Sequence, residues 1–407
     1  MRFLFVHQNF PAQFRHLAPA LVARGHEVVA TSLQPAPPPE WEGVRILPYA
    51  VARGSTPGIH PWIVDLETQT IRGEAAFRAG LKWKAEGLQP EVIVAHPGWG
   101  ESMFLKDVWP KARMGLYCEF FYQATGGDFD FDPEFPLADE AAAPRIRMKN
   151  VNNVLHMGVA DAGIAPTRWQ ASTFPQPFRD RITVVHDGID TALVAPKDDV
   201  AVRLGDVVVT RGDEVVTFVN RNLEPGRGYH IFMRALPDLL AARPNARVLI
   251  VGGTDKGYGH NPPAGTTWRD HFLDEVRPRL PEGALRRIHF LGRVPYEQFL
   301  ALLQLSSVHV YLTYPFVLGW SLLEAMSAGC AIVASDTPPV QEAIEHGRTG
   351  RLVPFFEPGK VAGEIAALLA DASGRARLGR NARDHVIAHY DLRTHCLPRQ
   401  VAWAESL

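Results

Sequence analysis

The chain has 407 residues, of which 46% are hydrophobic and 21% are charged. This length suggests two or three domains, and the composition is typical of globular rather than disordered proteins. Lys and Arg number 42 against 44 Asp and Glu, so the formal net charge is −2. The excess of positive charge that nucleic-acid binding requires is therefore missing, and we expect no nucleic-acid partner.

Cysteine spacing and hydropathy indicate the compartment. Cys118, Cys330 and Cys396 lie far apart and form no CxxC pair, which argues against a disulfide framework and a thiolate metal site. His7 and Gln8 interrupt the first apolar stretch before it reaches signal-peptide length, and no later stretch has about 18 uninterrupted apolar residues. These features predict a cytoplasmic protein without a transmembrane segment, for which peripheral attachment to a membrane stays open.

Short apolar runs alternate with longer stretches of helical period along the whole chain. This pattern is typical of parallel strands joined by helical crossovers and predicts an α/β fold. In the first half we predict a helix at 14–24 and strands at 2–7, 26–31, 91–95 and 114–119. In the second half we predict strands at 215–219, 247–251, 287–291, 308–312 and 331–334. Two doubly wound sheets in tandem follow, and such sheets bind ligands beyond the carboxyl ends of their strands.

The first candidate site follows the first strand of the second series, in residues 219–228, VNRNLEPGRG. Arg221 and Arg227 lie there beside two glycines. Two guanidinium groups next to flexible backbone suit a diphosphate, because each presents a planar fork of donors. The segment is neither a Walker loop nor GxGxxG, and surface arginines in a turn are the alternative interpretation.

The second candidate site is residues 314–329, YPFVLGWSLLEAMSAG, where an irregular turn precedes a helix that contains Glu324. Free backbone amides at a helix start attract an anion or a hydroxyl-rich ligand. An unpaired carboxylate that faced the core about one turn inside this helix would be costly. Glu324 is therefore a candidate ligand contact, with a partly exposed helix charge as the alternative.

These segments resemble family 4 of the nucleotide-sugar glycosyltransferases, the retaining enzymes of the GT-B fold. The resemblance is specific from about residue 184 to 360 and general before that. The segments similar to family motifs are 184–190 (VVHDGID, for VxxNGVD), 290–295 (FLGRVP, for FLGxV), 321–329 (SLLEAMSAG, for LLEAMAxG), 334–336 (ASD) and 346–354 (HGRTGRLVP, for GxTGxLV).

The resemblance implies two Rossmann-like domains that face each other across a cleft. Residues 1–188 would bind the acceptor, 189–385 would bind the nucleotide-sugar donor, and 386–407 would form a helix that returns to the first domain. At matching positions it implies that Arg221 and Arg227 bind the donor diphosphate and that Glu324 binds the ribose hydroxyls. The remaining implied donor contacts are Arg293 and Val294 near the base, and Leu318 and Gly319, whose backbone amides would meet the sugar.

Two positions depart from the family pattern. Phe316 stands where the family has the first glutamate of its E-x7-E motif, so that sugar-ring contact is missing or comes from elsewhere. The glycine-rich loop after the first strand is replaced by residues 9–13, NFPAQ, in which Asn9 and Gln13 are the candidate donor contacts. Approach of bare backbone to the diphosphate is less favoured there.

The first half should supply the acceptor site. His96 follows a predicted strand and precedes Gly98 and Gly100, so it is placed for a polar contact, although a lone histidine is often structural. Glu119 ends another predicted strand, near where the family commonly has a histidine, and its carboxylate could accept a hydrogen bond from the acceptor hydroxyl or act as a base.

Metal ligands are not predicted. Asp128, Asp130 and Asp132 superficially suggest a DxD site, but Pro133 follows them, and the glycine and distal glutamate of a calcium loop are missing. A solvated acidic loop that lines the acceptor cleft is the interpretation we favour. The sixteen histidines form no HExxH or similar pair.

The sequence thus predicts an enzyme that moves a sugar from a nucleoside diphosphate sugar to an acceptor with retention and without a metal or other cofactor. Sugars, lipids, natural products and protein side chains remain open as acceptors, and the oligomeric state is not indicated. Because fold alone does not decide function, a sugar-nucleotide epimerase or hydrolase is one alternative. The Phe316 departure leaves a second alternative, a nucleotide-sugar-binding protein with weakened turnover.

Overall fold

The computed structural model describes residues 1–34, 36–136, 139–255, 257 and 259–407. The chain divides into two compact units. The first unit comprises Met1–Asp130, Pro136–Gly188 and Arg393–Leu407, and the second comprises Phe131–Phe135 and Ile189–Leu392. In the described part of the chain, no helix has both the length and the apolar character needed to cross a membrane.

The first unit contains an eight-stranded sheet in the order β3-β4-β2-β1-β5-β6-β7-β8. All neighbouring strands are parallel except β3 and β4. The strands are β1 Arg2–Val6, β2 Glu27–Ser32, β3 Glu40–Trp41, β4 Val44–Pro48, β5 Val92–Ala95, β6 Arg113–Tyr117, β7 Ala162–Ala165 and β8 Ile182–Val184. The helices of the same unit are α1 Leu17–Ala23, α2 Val64–Ala85, α3 Leu105–Val108, α4 Ala142–Lys149, α5 Val151–Val159 and α6 Arg168–Thr173.

The second unit contains a six-stranded parallel sheet and a separate antiparallel hairpin of β9 and β10. The order of the larger sheet is β13-β12-β11-β14-β15-β16. The strands are β9 Ala201–Leu204, β10 Val207–Thr210, β11 Val215–Asn222, β12 Arg247–Gly253, β13 Ile288–Gly292, β14 Val308–Tyr311, β15 Ala331–Ser335 and β16 Arg351–Val353. The helices are α7 Tyr229–Ala242, α8 Trp268–Val276, α9 Tyr296–Leu305, α10 Trp320–Ser327, α11 Pro338–Gln341, α12 Pro358–Ala370 and α13 Ala372–Tyr390.

Both sheets are buried on both faces. In β1, Phe3 and Phe5 belong to one hydrophobic cluster, whereas the alternate residues Leu4 and Val6 belong to another. The same alternation occurs in β11. Because successive strand residues point to opposite faces, this division requires apolar helices on each side of the sheet. The predicted fold class, α/β with two Rossmann-like domains, is confirmed.

Three local predictions differ from the structure. The first helix begins at Leu17 rather than residue 14, because an earlier start would place Pro19 beyond the first turn, where its missing N–H breaks the helix. Glu119 lies two residues beyond the end of β6, rather than at its last residue. The β9–β10 hairpin lies inside the predicted second domain, 189–385, at a place where no strand was predicted.

The unit boundaries also differ from the predicted domains. The second unit extends to Leu392 instead of 385, because α13 is continuous to Tyr390. Residues 131–135 do not belong to the first unit as predicted, because Phe131 and Phe135 pack against aromatic rings of the second unit. The donor and acceptor roles of the two units stay predictions.

The last helix, α14 Leu397–Glu405, belongs to the first unit. Trp403 on this helix is 5% exposed, and a Cβ at Gly115 of β6 would press against its ring. Glu405 accepts hydrogen bonds from Arg24 and pairs with His26. The bond from Arg24 is the main reason why the pKa of Glu405 is lowered to about 2.

Replacing Trp403 with Ala should lower the free energy of unfolding of the first unit by about 3–5 kcal/mol, because a buried aromatic side chain is lost and a cavity remains. Ile387→Ala on α13 is the control, since Ile387 is 40% exposed and should cost little. Denaturant titrations followed by circular dichroism would measure both. Equal midpoints for Trp403→Ala and the unmodified chain would contradict the packing role.

Candidate functional site

Arg221 and Arg227 lie at the carboxyl end of β11 in the second unit. Arg221 is the next-to-last residue of the strand and is exposed, whereas Arg227 ends a short 3₁₀ turn, Pro225–Arg227. Gly228 follows with φ of +68°, and a Cβ there would collide with the side chain of Leu312. Only glycine combines this backbone conformation with so close an approach, so the turn is fixed against the end of β14.

Arg227 is held by neutral groups of the segment that follows β14. Its Nη1 donates to the Thr313 hydroxyl at 3.1 Å and to the Val317 carbonyl at 3.0 Å. Its guanidinium carbon lies 5.4 Å from the centroid of the Phe316 ring. Among the described residues, no carboxylate lies within ion-pair distance of Arg227. The positive charge is therefore oriented without being neutralised by a protein anion.

The two loops at this edge of the sheet are tied together. The Tyr314 N–H donates to the Gly226 carbonyl at 3.0 Å, and the Gly319 N–H donates to the buried Tyr311 hydroxyl at 2.7 Å. Leu318 is 7% exposed, and Gly319 caps α10. The structure thus brings Arg227, Phe316 and Leu318–Gly319 into one cluster. Because Tyr311 occupies the Gly319 amide, amides beyond Gly319 are better placed for a ligand.

Glu324 lies in the middle of α10, where it is partly exposed. Its Oε1 accepts a hydrogen bond from the Tyr296 hydroxyl at 2.7 Å. Arg293 follows β13 and donates to the Asn222 side chain at 2.9 Å, and it also pairs with Asp255 at 2.5 Å. This bond joins the predicted base-binding segment, Arg293 and Val294, to the residue next to Arg221.

Asp132 corrects the prediction of a solvated acidic loop. It is 3% exposed, and its Oδ2 accepts a hydrogen bond from the Tyr314 hydroxyl at 2.5 Å and lies 3.0 Å from His230 Nε2. Phe131 packs on the Tyr314 ring. Desolvation opposes ionisation of Asp132, but the nearby His230 and the hydrogen bond from Tyr314 outweigh it and lower the pKa of Asp132. The segment thus packs against Tyr314, which precedes in the chain the turn that contacts Arg227.

The three aspartates do not gather into one DxD site. Asp130 is exposed and accepts the Gly126 N–H at 3.0 Å. Asp132 instead lies with Glu134 and His230, and their potential ligand atoms are within 4.8 Å of one another. Glu134 pairs with Arg234 at 2.6 Å. Asp132, Glu134 and His230 therefore form a potential metal-ligand group that the sequence did not indicate.

A polar cavity of about 250 Å³ lies in the first unit, beyond the carboxyl ends of β5 and β6. His96 and Glu119 line it, as do Trp99 and Tyr117. The remaining polar side chains that line it are Asp65, Thr68, Gln69, Arg72, Tyr122, Lys149, Asn152 and Asn153. Carboxylates, amides and aromatic faces in one cavity suit a ligand that carries several hydroxyl groups.

The proton on His96 can be placed from its contacts. Nδ1 accepts the Gly98 N–H at 3.1 Å, so the neutral ring carries its proton on Nε2. Nε2 lies 3.5 Å from Glu119 Oε2, beyond normal hydrogen-bond distance, and is buried without a hydrogen bond. A hydroxyl group that enters the cavity could accept the hydrogen bond that His96 Nε2 lacks.

Asn9 and Gln13 lie near a second buried histidine, His7. The Asn9 N–H donates to His7 Nδ1 at 2.9 Å, and the nearby Gln13 side chain raises the pKa of the same ring. Burial, and then the neighbouring His96, lower the pKa of His7 to about 3, so the ring is neutral at physiological pH. In the structure these two residues are arranged around His7 in the first unit.

Several cavity residues were not found from the sequence. Tyr117 donates to both carboxylate oxygens of Asp187, and its pKa is raised by burial and then by that carboxylate. Lys149 lies over the Tyr122 ring at 4.2 Å. Asn152 donates to the Pro97 carbonyl at 2.6 Å. The signal for Tyr117 was its place beside Glu119, whereas Lys149 and Asn152 lie on helices without a recognisable motif.

Comparisons with known proteins agree with this architecture. A model described as Glycosyl transferase family 4 group matches residues 24–194, and one described as Glycosyl transferases group 1 matches residues 206–385. Phosphatidyl-myo-inositol mannosyltransferase of Mycolicibacterium smegmatis is 31% identical over 374 residues, which cover 91% of this chain and 83% of that protein. The chain therefore belongs to glycosyltransferase family 4, with the GT-B fold.

D-inositol 3-phosphate glycosyltransferase of Corynebacterium efficiens is 32% identical over 210 residues, which cover 51% of this chain. The match spans 47% of that protein, about half its length. The crystal structure of Anabaena HepE in complex with UDP-glucose superimposes with a TM-score of 0.68 at 17% identity and covers 100% of both chains. At that identity the similarity concerns the fold.

Asp132→Asn should destabilise the second unit by about 1–3 kcal/mol at neutral pH, because a buried hydrogen-bonded carboxylate is replaced. Since the folded-state pKa of Asp132 is lowered, its contribution is present above the unfolded value near 4 and is lost as the pH falls through the folded value. The difference in melting temperature should therefore shrink in acid. Asp130→Asn is the matched control, and a pH-independent difference would contradict the assignment.

Proposed function

We propose that this protein transfers a sugar from a nucleoside diphosphate sugar to an acceptor hydroxyl, with retention of configuration and without a metal ion. The second unit would bind the donor and the first unit the acceptor. The observation that carries the proposal is Arg227, whose guanidinium is fixed by Thr313, Phe316 and Val317 and is not paired with a carboxylate among the described residues.

Stabilisation of the leaving diphosphate is the main catalytic effect in this proposal. As the bond to the sugar breaks, negative charge develops on the diphosphate, and a fixed cation lowers the energy of that state without reorganising. Arg221 would add a second guanidinium, and backbone amides at the start of α10 would add partial positive charge. Phe316 contributes its ring to this arrangement, at 5.4 Å from the Arg227 guanidinium carbon.

The nucleoside would be bound by residues that follow the same sheet edge. Glu324 accepts a hydrogen bond from Tyr296 at Oε1, and its carboxylate would also accept hydrogen bonds from the ribose hydroxyls. The bond between Arg293 and Asn222 fixes the segment with Val294, whose backbone would meet the base. The complex of HepE with UDP-glucose makes a uridine diphosphate sugar a reasonable first donor to test.

The acceptor hydroxyl would bind between His96 and Glu119. The Nε2–H of neutral His96 can donate to the hydroxyl oxygen, while the Glu119 carboxylate accepts its proton. The mannosyltransferase and inositol phosphate glycosyltransferase names of the relatives support sugar transfer to a hydroxylated ring. We place the reaction in the cytoplasm, in keeping with three buried cysteines that form no disulfide.

A donor screen by thermal shift with UDP-, GDP-, ADP- and dTDP-sugars should identify the donor, since a ligand of the native state raises its stability. With that donor, proton NMR should show a product with the anomeric configuration of the donor, and transfer should survive excess EDTA. An inverted product would exclude retention. Loss of transfer that Mn²⁺ or Mg²⁺ restores would exclude metal independence.

Arg227→Ala and Arg221→Ala should each slow transfer by about 100-fold, through loss of charge stabilisation of the diphosphate. Arg227→Lys should recover part of the rate, because the lysine ammonium keeps the positive charge but lacks the planar set of donors of a guanidinium. Arg348→Ala is the control, since Arg348 is an exposed arginine of the same unit that pairs with Glu345. Unchanged kcat in both alanine variants would contradict the diphosphate assignment.

Glu119→Gln should reduce kcat by about 100-fold while leaving the donor dissociation constant within about twofold, because Glu119 lies in the first unit. Glu74→Gln, an exposed carboxylate of α2, is the matched control. Single-turnover kinetics and donor titration would separate the two effects. A parallel loss of donor affinity, or full activity, would remove the role given to Glu119.

A further inference from the structure

A second, larger cavity adjoins the polar cavity of the first unit. It measures about 730 Å³, and most of its lining surface is apolar. The apolar side chains are Leu33, Pro48, Tyr49, Val51 and Ile71, and Gln34, Arg53 and Ser55 add polar groups. We call it the apolar cavity. Thr68 and Arg72 line both cavities. They lie four residues apart on one face of α2, so this helix forms a wall common to both.

The position of the apolar cavity follows from the sheet. Leu33 comes directly after β2, and Tyr49 and Val51 come directly after β4, whereas His96 follows β5. Because β2, β4 and β5 are parallel within one sheet, their carboxyl ends meet at the same edge. Both cavities therefore open along one edge, where ligands of such sheets bind.

The lining of the apolar cavity is only partly covered by protein. Leu33 and Val51 are partly exposed in the cavity, whereas Tyr49 and Ile71 are buried in its wall. Exposed apolar side chains gathered in a concave site favour a ligand that removes them from water. The polar cavity next to it is lined instead by Asp65, Glu119 and amide side chains. One ligand that fills both must have two chemically different parts.

Arg72 supplies a polar contact at the junction. Its Nη1 is buried without a hydrogen bond, although it lies 3.8 Å from the buried carboxylate of Glu101. A buried donor without a partner is costly, and an acceptor oxygen on a ligand would satisfy it. The ether or ester oxygen that joins a polar ring to an apolar chain would be such an acceptor.

From these observations we propose that the acceptor is an amphiphile with one apolar chain. Its hydroxyl-rich ring would occupy the polar cavity beside His96 and Glu119, its linking oxygen would lie at Arg72, and its chain would lie in the apolar cavity. This inference rests on the proposed function for the role of the ring as acceptor. The binding of such a molecule does not depend on transfer and can be measured without donor.

The test uses alkyl β-D-glucosides from methyl to octyl, each below its micelle concentration, with the full chain. Dissociation constants from calorimetry without donor should fall by about fourfold per methylene until the chain fills the cavity. Val51→Asp and Leu33→Asn should flatten this dependence. Leu81→Asp should retain it, because Leu81 is 45% exposed on α2 and lines neither cavity. Equal melting temperatures would show that the variants are folded.

A dissociation constant independent of chain length in the unmodified protein would overturn the proposal. A chain-length dependence that persists in both cavity variants would also overturn it, since the chain would then bind elsewhere. Donor binding is measured in a separate titration, in which the Arg227→Ala variant is compared with the unmodified protein. If glucosides bind with the expected dependence but no donor supports transfer, the amphiphile site stands and the proposed function fails. If transfer occurs only to acceptors without a chain, the amphiphile site fails and the proposed function stands.

Discussion

The arrangement of the second unit depends on how one cation is held. Arg227 contacts a hydroxyl, a carbonyl and an aromatic ring, all from the segment after β14. Neutral partners orient a guanidinium and leave its positive charge in place, whereas a carboxylate would orient the guanidinium and neutralise that charge. The loops around Arg227 are therefore not held in place by an ion pair. They are held by backbone contacts at Gly226, Gly228 and Gly319.

The buried carboxylate of Asp132 completes this support from a distant part of the chain. It accepts a hydrogen bond from Tyr314 and lies against His230, and the rings of Phe131 and Phe135 surround the same region. A charge buried in this way is stable only when its hydrogen bonds are satisfied. The arrangement around Arg227 thus depends on residues 131–135. The chain on both sides of this segment belongs to the first unit.

The parallel sheets, most of their strands and the two segments that contain Arg227 and Glu324 could be predicted from the sequence, because strand period and motif spacing are local signals. Asp132 could not, since its partners His230 and Tyr314 are distant in sequence. For the same reason an acidic segment was taken for solvated surface. The β9–β10 hairpin was missed because its alternation of apolar and polar residues is short. Lys149 and Asn152 were missed because nothing in the sequence of their helices indicates that they line a cavity.

The return of α14 to the first unit has a consequence for synthesis. Domains of a growing chain generally fold in order from the amino terminus. Here Trp403 and Ala404 belong to the same hydrophobic cluster as Phe3 and Phe5. The sheet of the first unit stays incomplete on one face until α14 has left the ribosome, whereas residues 189–392 precede α14 in the chain. The first unit therefore cannot be completed before the second unit has been translated, and its nascent form exposes an apolar surface that a chaperone could cover.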